Sequence, residues 1–83
     1  MKVQVRYFAS LREALGAQET VEVAAGSSLG ALRDTLIASS AAHAQALARG
    51  RALRGAVNQV MGDEGTAVPE GAEVAFFPPV TGG

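Results

Sequence analysis

The C-terminal carboxyl of Gly83 is the group in this sequence best suited to reaction chemistry, because the side chains offer little. The 83-residue chain has no cysteine and one histidine, His43, which excludes disulfides and thiolate metal sites. His43 has no His, Cys or carboxylate three or four residues further on, so we expect a solvated surface side chain rather than a ligand or base. No Ser-His-Asp or paired-carboxylate spacing is present. We therefore expect a chain that is non-catalytic on its own and binds no cofactor or metal.

The last six residues separate this carboxyl from the folded body. Pro78 and Pro79 remove two backbone donors directly after a strand predicted for residues 74–77, so the sheet cannot continue. Residues 78–83 reach about 20 Å when extended, at about 3.3 Å each. Gly82 and Gly83 have no side chains, which suits a thread that enters a narrow tunnel in another protein. The alternative is a frayed terminus without function, and the proline pair favours the thread.

Composition is typical of one small globular domain. Hydrophobic residues make up 48% of the chain and the net charge is −1, which supports a packed core. The absence of a Lys/Arg run argues against nucleic acid as the main partner. No apolar stretch approaches the roughly 20 residues needed to span a bilayer, and the N-terminus is not a signal peptide. We expect a cytoplasmic protein without a membrane partner.

The first quarter of the chain predicts two antiparallel strands joined by a short helix. Residues 2–8 alternate, and so do residues 19–23. In the first strand, Val3, Val5 and Tyr7 are expected to face inward. Phe8 is an aromatic residue on the opposite, polar face. Ser10 and Glu13 fit a capping box for the connecting helix. Gly16 can close that helix, and Val21 and Val23 are expected to face inward from the second strand.

The remainder predicts a helix across a sheet, followed by more strands. Ser27 and Ser28 provide capping hydroxyls for a helix whose apolar residues recur on one face; they are Leu29, Leu32, Leu36 and Ile37. A second helical piece at 41–49 has a poor apolar stripe and should lie near the surface. Strands are expected at 53–57 and 74–77, with a short edge strand at 66–68. The pattern indicates an α+β fold with one main helix packed on a mixed sheet.

Two groups of charged residues are expected to be solvent-exposed rather than to form a binding site. Asp63 and Glu64 are expected to lie in a hydrated loop, since Ca²⁺ needs 6–8 oxygen ligands. Arg49, Arg51 and Arg54 are expected to form a solvated basic face, where a contact with an acidic partner would contribute modestly.

Two aromatic residues are expected outside the core. Phe8 lies opposite the inward residues of its strand, and Phe77 lies opposite Val74 and Phe76. Exposed aromatics on so small a domain indicate an interface patch, and Met61 is a weaker third member. Burial of one or both of Phe8 and Phe77 in a second small core is the alternative.

Several motifs resemble the small subunit of molybdopterin synthase, a ubiquitin-like sulfur carrier family. The terminal motif is the most specific part of the likeness: Phe76-Phe77-Pro78-Pro79-Val80-Thr81-Gly82-Gly83. Residues 56–59 resemble that family's internal strand, and residues 7–9 with 11–13 resemble its opening. The likeness covers essentially the whole chain. Residues 61–65 are more glycine-rich than expected for the family.

The resemblance implies a β-grasp, ubiquitin-like domain over residues 1–77 and a flexible tail over 78–83. It further implies that an activating enzyme adenylates Gly83 with ATP and that sulfur replaces the adenylate to give a thiocarboxylate. A cysteine desulfurase is an example of the sulfur source. The large, catalytic subunit would receive the tail within a heterotetramer, contacting Pro78, Pro79, Val80 and Thr81, and Gly82 would provide clearance. The sulfur would pass to cyclic pyranopterin monophosphate in molybdenum cofactor biosynthesis.

Other functions remain open from the sequence. A sulfur carrier could serve thiamin synthesis or tRNA thiolation, and a ubiquitin-like modifier would join Gly83 to lysines of target proteins. A plain β-grasp binding module would make no use of its tail.

Overall fold

A computed structural model of the chain describes residues 1–79, which form a five-stranded mixed sheet with helices on one face. The strands are β1 (Lys2–Tyr7), β2 (Gln18–Glu22), β3 (Arg54–Val57), β4 (Val60–Gly62) and β5 (Glu73–Phe77). The helices are α1 (Ser10–Leu15), α2 (Leu29–Ser39) and α3 (Ala41–Ala46). The order across the sheet is β2-β1-β5-β3-β4. This order places β5 at the centre of the sheet, and only the β1–β5 pair is parallel among these neighbours.

The core lies between this sheet and α2, as the two periodicities predict. The buried side chains of β1 and β5 are the alternating ones, and they meet the stripe on α2. Leu32 and Leu36 are almost completely buried, while Ile37 is partly buried against the core. Ser28 caps α2 by accepting a hydrogen bond from the backbone N–H of Ala31 at 3.1 Å. The expected α+β architecture with one main helix is confirmed.

The predicted capping box before α1 is wrong. Ser10 lies inside the helix, the N-cap is Ala9 at φ 53°, and no side chain caps the helix. The backbone N–H of Leu11, two residues after Ala9, instead donates to the carbonyl of Phe8 at 3.1 Å. Gly16 ends α1 as expected, with φ 90° and its N–H on the carbonyl of Arg12.

The second edge of the sheet differs from the prediction. Residues 66–68 form only an isolated bridge between Ala67 and Ser28, and the edge strand is β4 at Val60–Gly62. Asn58 and Gln59 both have positive φ, 49° and 70°, which is the geometry of a two-residue hairpin turn. Because Gln is uncommon at such a turn, the hairpin was not expected from the sequence.

The helix after Ser40 is shorter and more deeply packed than predicted. It ends at Ala46 rather than near Gly50, and Leu47 directly after it is completely buried. The prediction of a surface helix is therefore wrong for its last turn, where Ala46 and Leu47 join the core.

In residues 1–79 no helix is long and apolar enough to cross a membrane. The predicted tail residues Val80, Thr81, Gly82 and Gly83 lie outside the described residues.

Candidate docking face at the root of the tail

The tail begins on the central strand of the sheet. Phe77 is the last residue of β5, and Pro78 and Pro79 follow it with partly buried side chains. β5 is held on one side by β1, where Tyr7 pairs with Phe76, and the Phe8 N–H extends this contact to the Phe76 carbonyl at 3.2 Å. On the other side, Arg54 of β3 pairs with Phe77. The described chain therefore fixes the starting point of the tail from both sides.

The sheet face opposite the helices carries the two predicted aromatics as neighbours. Phe8 is 39% exposed and Phe77 is partly buried. Their rings meet edge to face with centroids 6.4 Å apart, a favoured aromatic geometry. Phe77 alternates with buried Val74 and Phe76, so its partial exposure follows from ordinary strand parity. Both aromatics lie beside the tail root rather than in the core.

Met61 joins this surface through a second row of residues. Residues directly opposite on neighbouring strands share a face, and the register pairs Ala75 with Ala56 and Ala56 with Met61. Met61 is 53% exposed. We call this surface the docking face and define it by Phe8, Ala56, Met61, Ala75 and Phe77.

Each row of the docking face has an arginine at one end. Arg6 pairs with Ala75 across β1 and β5, and its guanidinium lies 5.6 Å from the centroid of the Phe8 ring. It also approaches Glu73 at 3.8 Å, with both side chains nearly half exposed. Arg54 lies opposite Phe77 and is exposed. The face is thus apolar at its centre and basic at two of its corners.

A groove of about 530 Å³ borders the docking face where β3 begins and β4 ends. Its apolar lining comes from Leu29, Leu53 and Phe76, and it includes Met61 of the docking face and Arg54 at a corner of that face. Leu29 and Phe76 belong to the core, so the groove lies on the helix side of the sheet and meets the docking face at Arg54 and Met61.

His43 is not the solvated side chain that the sequence predicted. Its side chain is 16% exposed, and its Nε2 lies 2.6 Å from a carboxylate oxygen of Glu19. Ser40 Oγ lies 2.6 Å from His43 Nδ1 and also accepts the backbone N–H of His43 at 3.1 Å, capping α3. Tyr7 donates its hydroxyl to the same Glu19 oxygen at 2.7 Å. The contacts from His43 to Glu19 and from Tyr7 to Glu19 attach α3 to β2 and β1, and Ser40 holds the start of α3 as its helix cap.

Tyr7 makes stability sensitive to alkaline pH. Burial, then the hydrogen bond to Glu19, then the Glu19 charge raise the pKa of Tyr7 well above its ordinary value. A raised pKa stabilises the fold fully below the unfolded-state pKa of about 10, and this stabilisation is lost as pH rises further. We expect the free energy of unfolding to fall by about 1.4 kcal/mol per pH unit above about pH 10 from this group.

Tyr7→Phe should remove that slope, because Phe has no group that titrates. Urea unfolding of both proteins across that range measures it. Since the variant also loses a hydrogen bond, the slopes are compared rather than the absolute stabilities. Equal slopes would show that Tyr7 has no role in the alkaline loss.

A buried arginine, Arg33, was missed from the sequence. It is 6% exposed and donates to three backbone carbonyls beyond α3, at Leu47 (2.8 Å), Ala48 (2.6 Å) and Arg51 (3.0 Å). Its fourth partner is Glu64, with the nitrogen and oxygen 3.3 Å apart. Arg33 stands four residues after Leu29 and so lies within the apolar stripe of α2, a position that could have indicated its burial.

Glu64 and Arg49 are also more ordered than predicted. Glu64 accepts from Arg49 as well as Arg33, and Arg49 also contacts Asp34 at 2.8 Å. Hydrogen bonds to Glu64 and Asp34 raise the pKa of Arg49. Asp63 caps the following turn, accepting the Gly65 N–H at 2.9 Å. All three arginines of the predicted basic face are exposed, but Arg49 also belongs to an ion-pair network with Asp34 and Glu64.

Over residues 1–79, no three His, Asp or Glu side chains lie close enough together to hold a metal ion.

Comparison with known protein families identifies the family of this chain. The profile of the ThiS family matches residues 5–83. The chain belongs to the ThiS family. It is also 42% identical over 81 residues to a molybdopterin synthase sulfur carrier subunit of Escherichia coli, covering 98% of this chain and 99% of that one. The resemblance proposed from the sequence is confirmed.

Solved structures with the same fold support the ubiquitin-like β-grasp assignment of this ThiS-family chain. Small archaeal modifier protein 1 of Haloferax volcanii is 27% identical with a TM-score of 0.76, covering 95% of this chain and 98% of that one. A chain from the complex of subunits 1 and 2 of the molybdopterin-converting factor of Helicobacter pylori is 25% identical with a TM-score of 0.68, and each chain is covered completely.

Proposed function

We propose that this chain is the sulfur carrier subunit of a molybdopterin synthase and that Gly83 carries the sulfur as a thiocarboxylate. The observation that carries the proposal is the 42% identity to the Escherichia coli sulfur carrier subunit over 98% of this chain. The ThiS-family match continues to residue 83 and so includes the terminal glycine pair.

The chemistry follows from the state of the Gly83 carboxyl. With an ordinary C-terminal pKa of about 3.5, it is ionised at neutral pH and is a poor electrophile. An adenylating enzyme overcomes this by joining the carboxylate to the AMP part of ATP, which releases pyrophosphate. A sulfide nucleophile then attacks the acyl carbon, and AMP leaves to give the thiocarboxylate. Where a cysteine desulfurase is the source, its persulfide attacks instead and forms an acyl disulfide, and a thiol reductant then cleaves the S–S bond to release the thiocarboxylate. This chain holds no cofactor of its own, and the ATP belongs to the adenylating enzyme.

The docking face would bring the loaded tail to its acceptor. In the Helicobacter pylori structure, a protein of this fold is in a complex of subunits 1 and 2, which supports a large catalytic subunit as the partner of this chain. We propose a heterotetramer in which Phe8, Met61 and Phe77 contact that subunit. Pro78, Pro79, Val80 and Thr81 would lead the terminus into its active site, where sulfur passes to cyclic pyranopterin monophosphate. The reaction would take place in the cytoplasm.

Intact-mass measurement tests the carrier role. The chain is incubated with ATP, a sulfur source and its cognate adenylating enzyme. We expect a product in which one oxygen is replaced by sulfur, and no such product when ATP is left out. As a control, the same enzyme preparation must consume ATP when it is given an established sulfur carrier protein. An unchanged mass of this chain under those conditions would contradict the proposal.

A ubiquitin-like modifier is the second candidate, supported by the TM-score of 0.76 with small archaeal modifier protein 1. A modifier would appear as an amide between Gly83 and a lysine of another protein, with loss of water from the pair. A carrier for thiamin or tRNA thiolation would form the thiocarboxylate but would not support molybdopterin synthesis.

A further inference from the structure

We infer that the docking face recognises a partner surface whose carboxylates surround an apolar centre, and that Arg54 is the main residue that contacts those carboxylates. The inference rests on the proposed function, because the partner is the large subunit of the synthase. It goes beyond that function by assigning the charge of the complementary surface.

Arg54 is the cation of the docking face that the described fold leaves available. Among residues 1–79 no carboxylate forms an ion pair with it. Arg6, at the other corner, is partly engaged by Glu73 and by the Phe8 ring. Arg33 and Arg49 are held by Glu64. A carboxylate from a partner would therefore meet the least competition at Arg54.

The position of Arg54 favours recognition of a carboxylate over a general attraction. It lies opposite Phe77 in the register of β3 and β5, so an occupant that covers the Phe77 ring comes within reach of the Arg54 side chain. Arginine binds carboxylates through two parallel hydrogen bonds, and such bonds gain strength where water is excluded. Arginines next to buried aromatics are frequent hot spots in protein interfaces.

The adjoining groove shows how the partner's groups should be arranged. Its apolar lining, from Leu29, Leu53 and Phe76, suits an apolar side chain. Asp63 lines the same groove and would repel a partner carboxylate placed beside it, whereas the charge of Glu64 is offset by Arg33 and Arg49. The carboxylate is thus directed to the Phe77 side of Arg54, with an apolar side chain entering the groove.

Association kinetics with the cognate large subunit test this inference. Arg54→Glu is compared with Arg51→Glu, which changes the net charge equally at an exposed arginine in a different groove, beside Ser10 and Leu11. At low ionic strength we expect Arg54→Glu to lower the association rate constant by about 10-fold or more. Arg51→Glu should stay within about twofold of the unmodified chain. Arg54→Lys keeps the charge and should retain most of the association rate constant, but its complex should dissociate faster because lysine cannot form the two parallel hydrogen bonds.

Repeating the measurement at high salt distinguishes an electrostatic effect of Arg54 from an effect of side-chain shape. At about 1 M salt the Debye length is about 3 Å, so the long-range contribution of Arg54 to the association rate should largely disappear. The association rate constants of Arg54→Glu and the unmodified chain should then differ much less than at low ionic strength. Thermal unfolding checks that each variant folds, and Arg54→Gln replaces Arg54→Glu if the latter does not.

Three results would overturn the inference: equal association rate constants for the two glutamate variants, a difference between Arg54→Glu and the unmodified chain that salt does not change, or a free chain that dimerises through this face. If the unmodified chain fails to bind the large subunit at all, the proposed function fails with it; if it binds and Arg54 has no effect, only this inference fails.

Discussion

Deleting Gly83 is expected to stop sulfur delivery while leaving the fold intact. The deletion moves the terminal carboxyl back by about 3.3 Å, and a displacement of only about 1 Å can cost roughly 10²-fold when reacting groups must align. Glycine has no side chain to bury, and β5 ends at Phe77, well before the deletion. We therefore expect at least about a 100-fold loss of molybdopterin formation in a reconstituted assay, with an unchanged thermal unfolding midpoint.

Binding provides the control for this deletion. Because the docking face is untouched, the shortened chain should still bind the large subunit with nearly the affinity of the full chain. Calorimetry on the same preparations measures this. Molybdopterin formation at the normal rate from the shortened chain would refute the carrier mechanism, whereas loss of binding would show that the terminus is needed for docking as well as for chemistry.

Phe8→Ala is expected to weaken binding to the large subunit more than it destabilises the fold. The side chain is 39% exposed, and its contacts on this face are the ring of Phe77 and the guanidinium of Arg6. Truncating an aromatic hot spot costs about 2 kcal/mol or more of binding energy, which corresponds to roughly a 30-fold higher Kd. Calorimetric titration gives the affinity, and urea unfolding gives the stability.

Val60→Ala is the matched control for Phe8→Ala. Val60 is 69% exposed but pairs with Val57 and so does not belong to the rows that contain Phe8 and Met61. Its truncation should change the affinity by less than about twofold. The docking assignment fails if Phe8→Ala binds as tightly as the unmodified chain, or if it does not fold.

Local periodicity accounts for what the sequence predicted correctly. The alternation of Val3, Val5 and Tyr7 identifies the buried face of β1, and the spacing of Leu32 and Leu36 identifies the face of α2 that packs on it. Each pattern repeats within a few residues, so it can be read without knowledge of distant contacts. The outward position of Phe8 follows from the same alternation.

Contacts between distant residues account for what was missed. Arg33 is buried because carbonyls 14 to 18 residues away converge on it, and His43 is ordered by Glu19, 24 residues away. No local pattern encodes such pairs. The hairpin at Asn58 and Gln59 was missed for a different reason, since the tertiary fold imposes positive φ on a glutamine that does not favour it. Of the candidate site, the aromatics could be predicted from parity, but the corner positions of Arg6 and Arg54 needed the strand order.

The central position of β5 has a mechanical consequence if, as proposed, the terminus enters the large subunit and is withdrawn from it again. A pull on the tail acts along the axis of β5, which is bonded to β1 on one side and to β3 on the other. The load is therefore shared in shear by two ladders of hydrogen bonds at once, whereas an edge strand pulled in the same direction would be held by one ladder. Residues such as Val74 and Phe76 also anchor the strand in the core. The domain can thus act as a handle, so that force on the tail moves the whole body rather than unravelling its last strand.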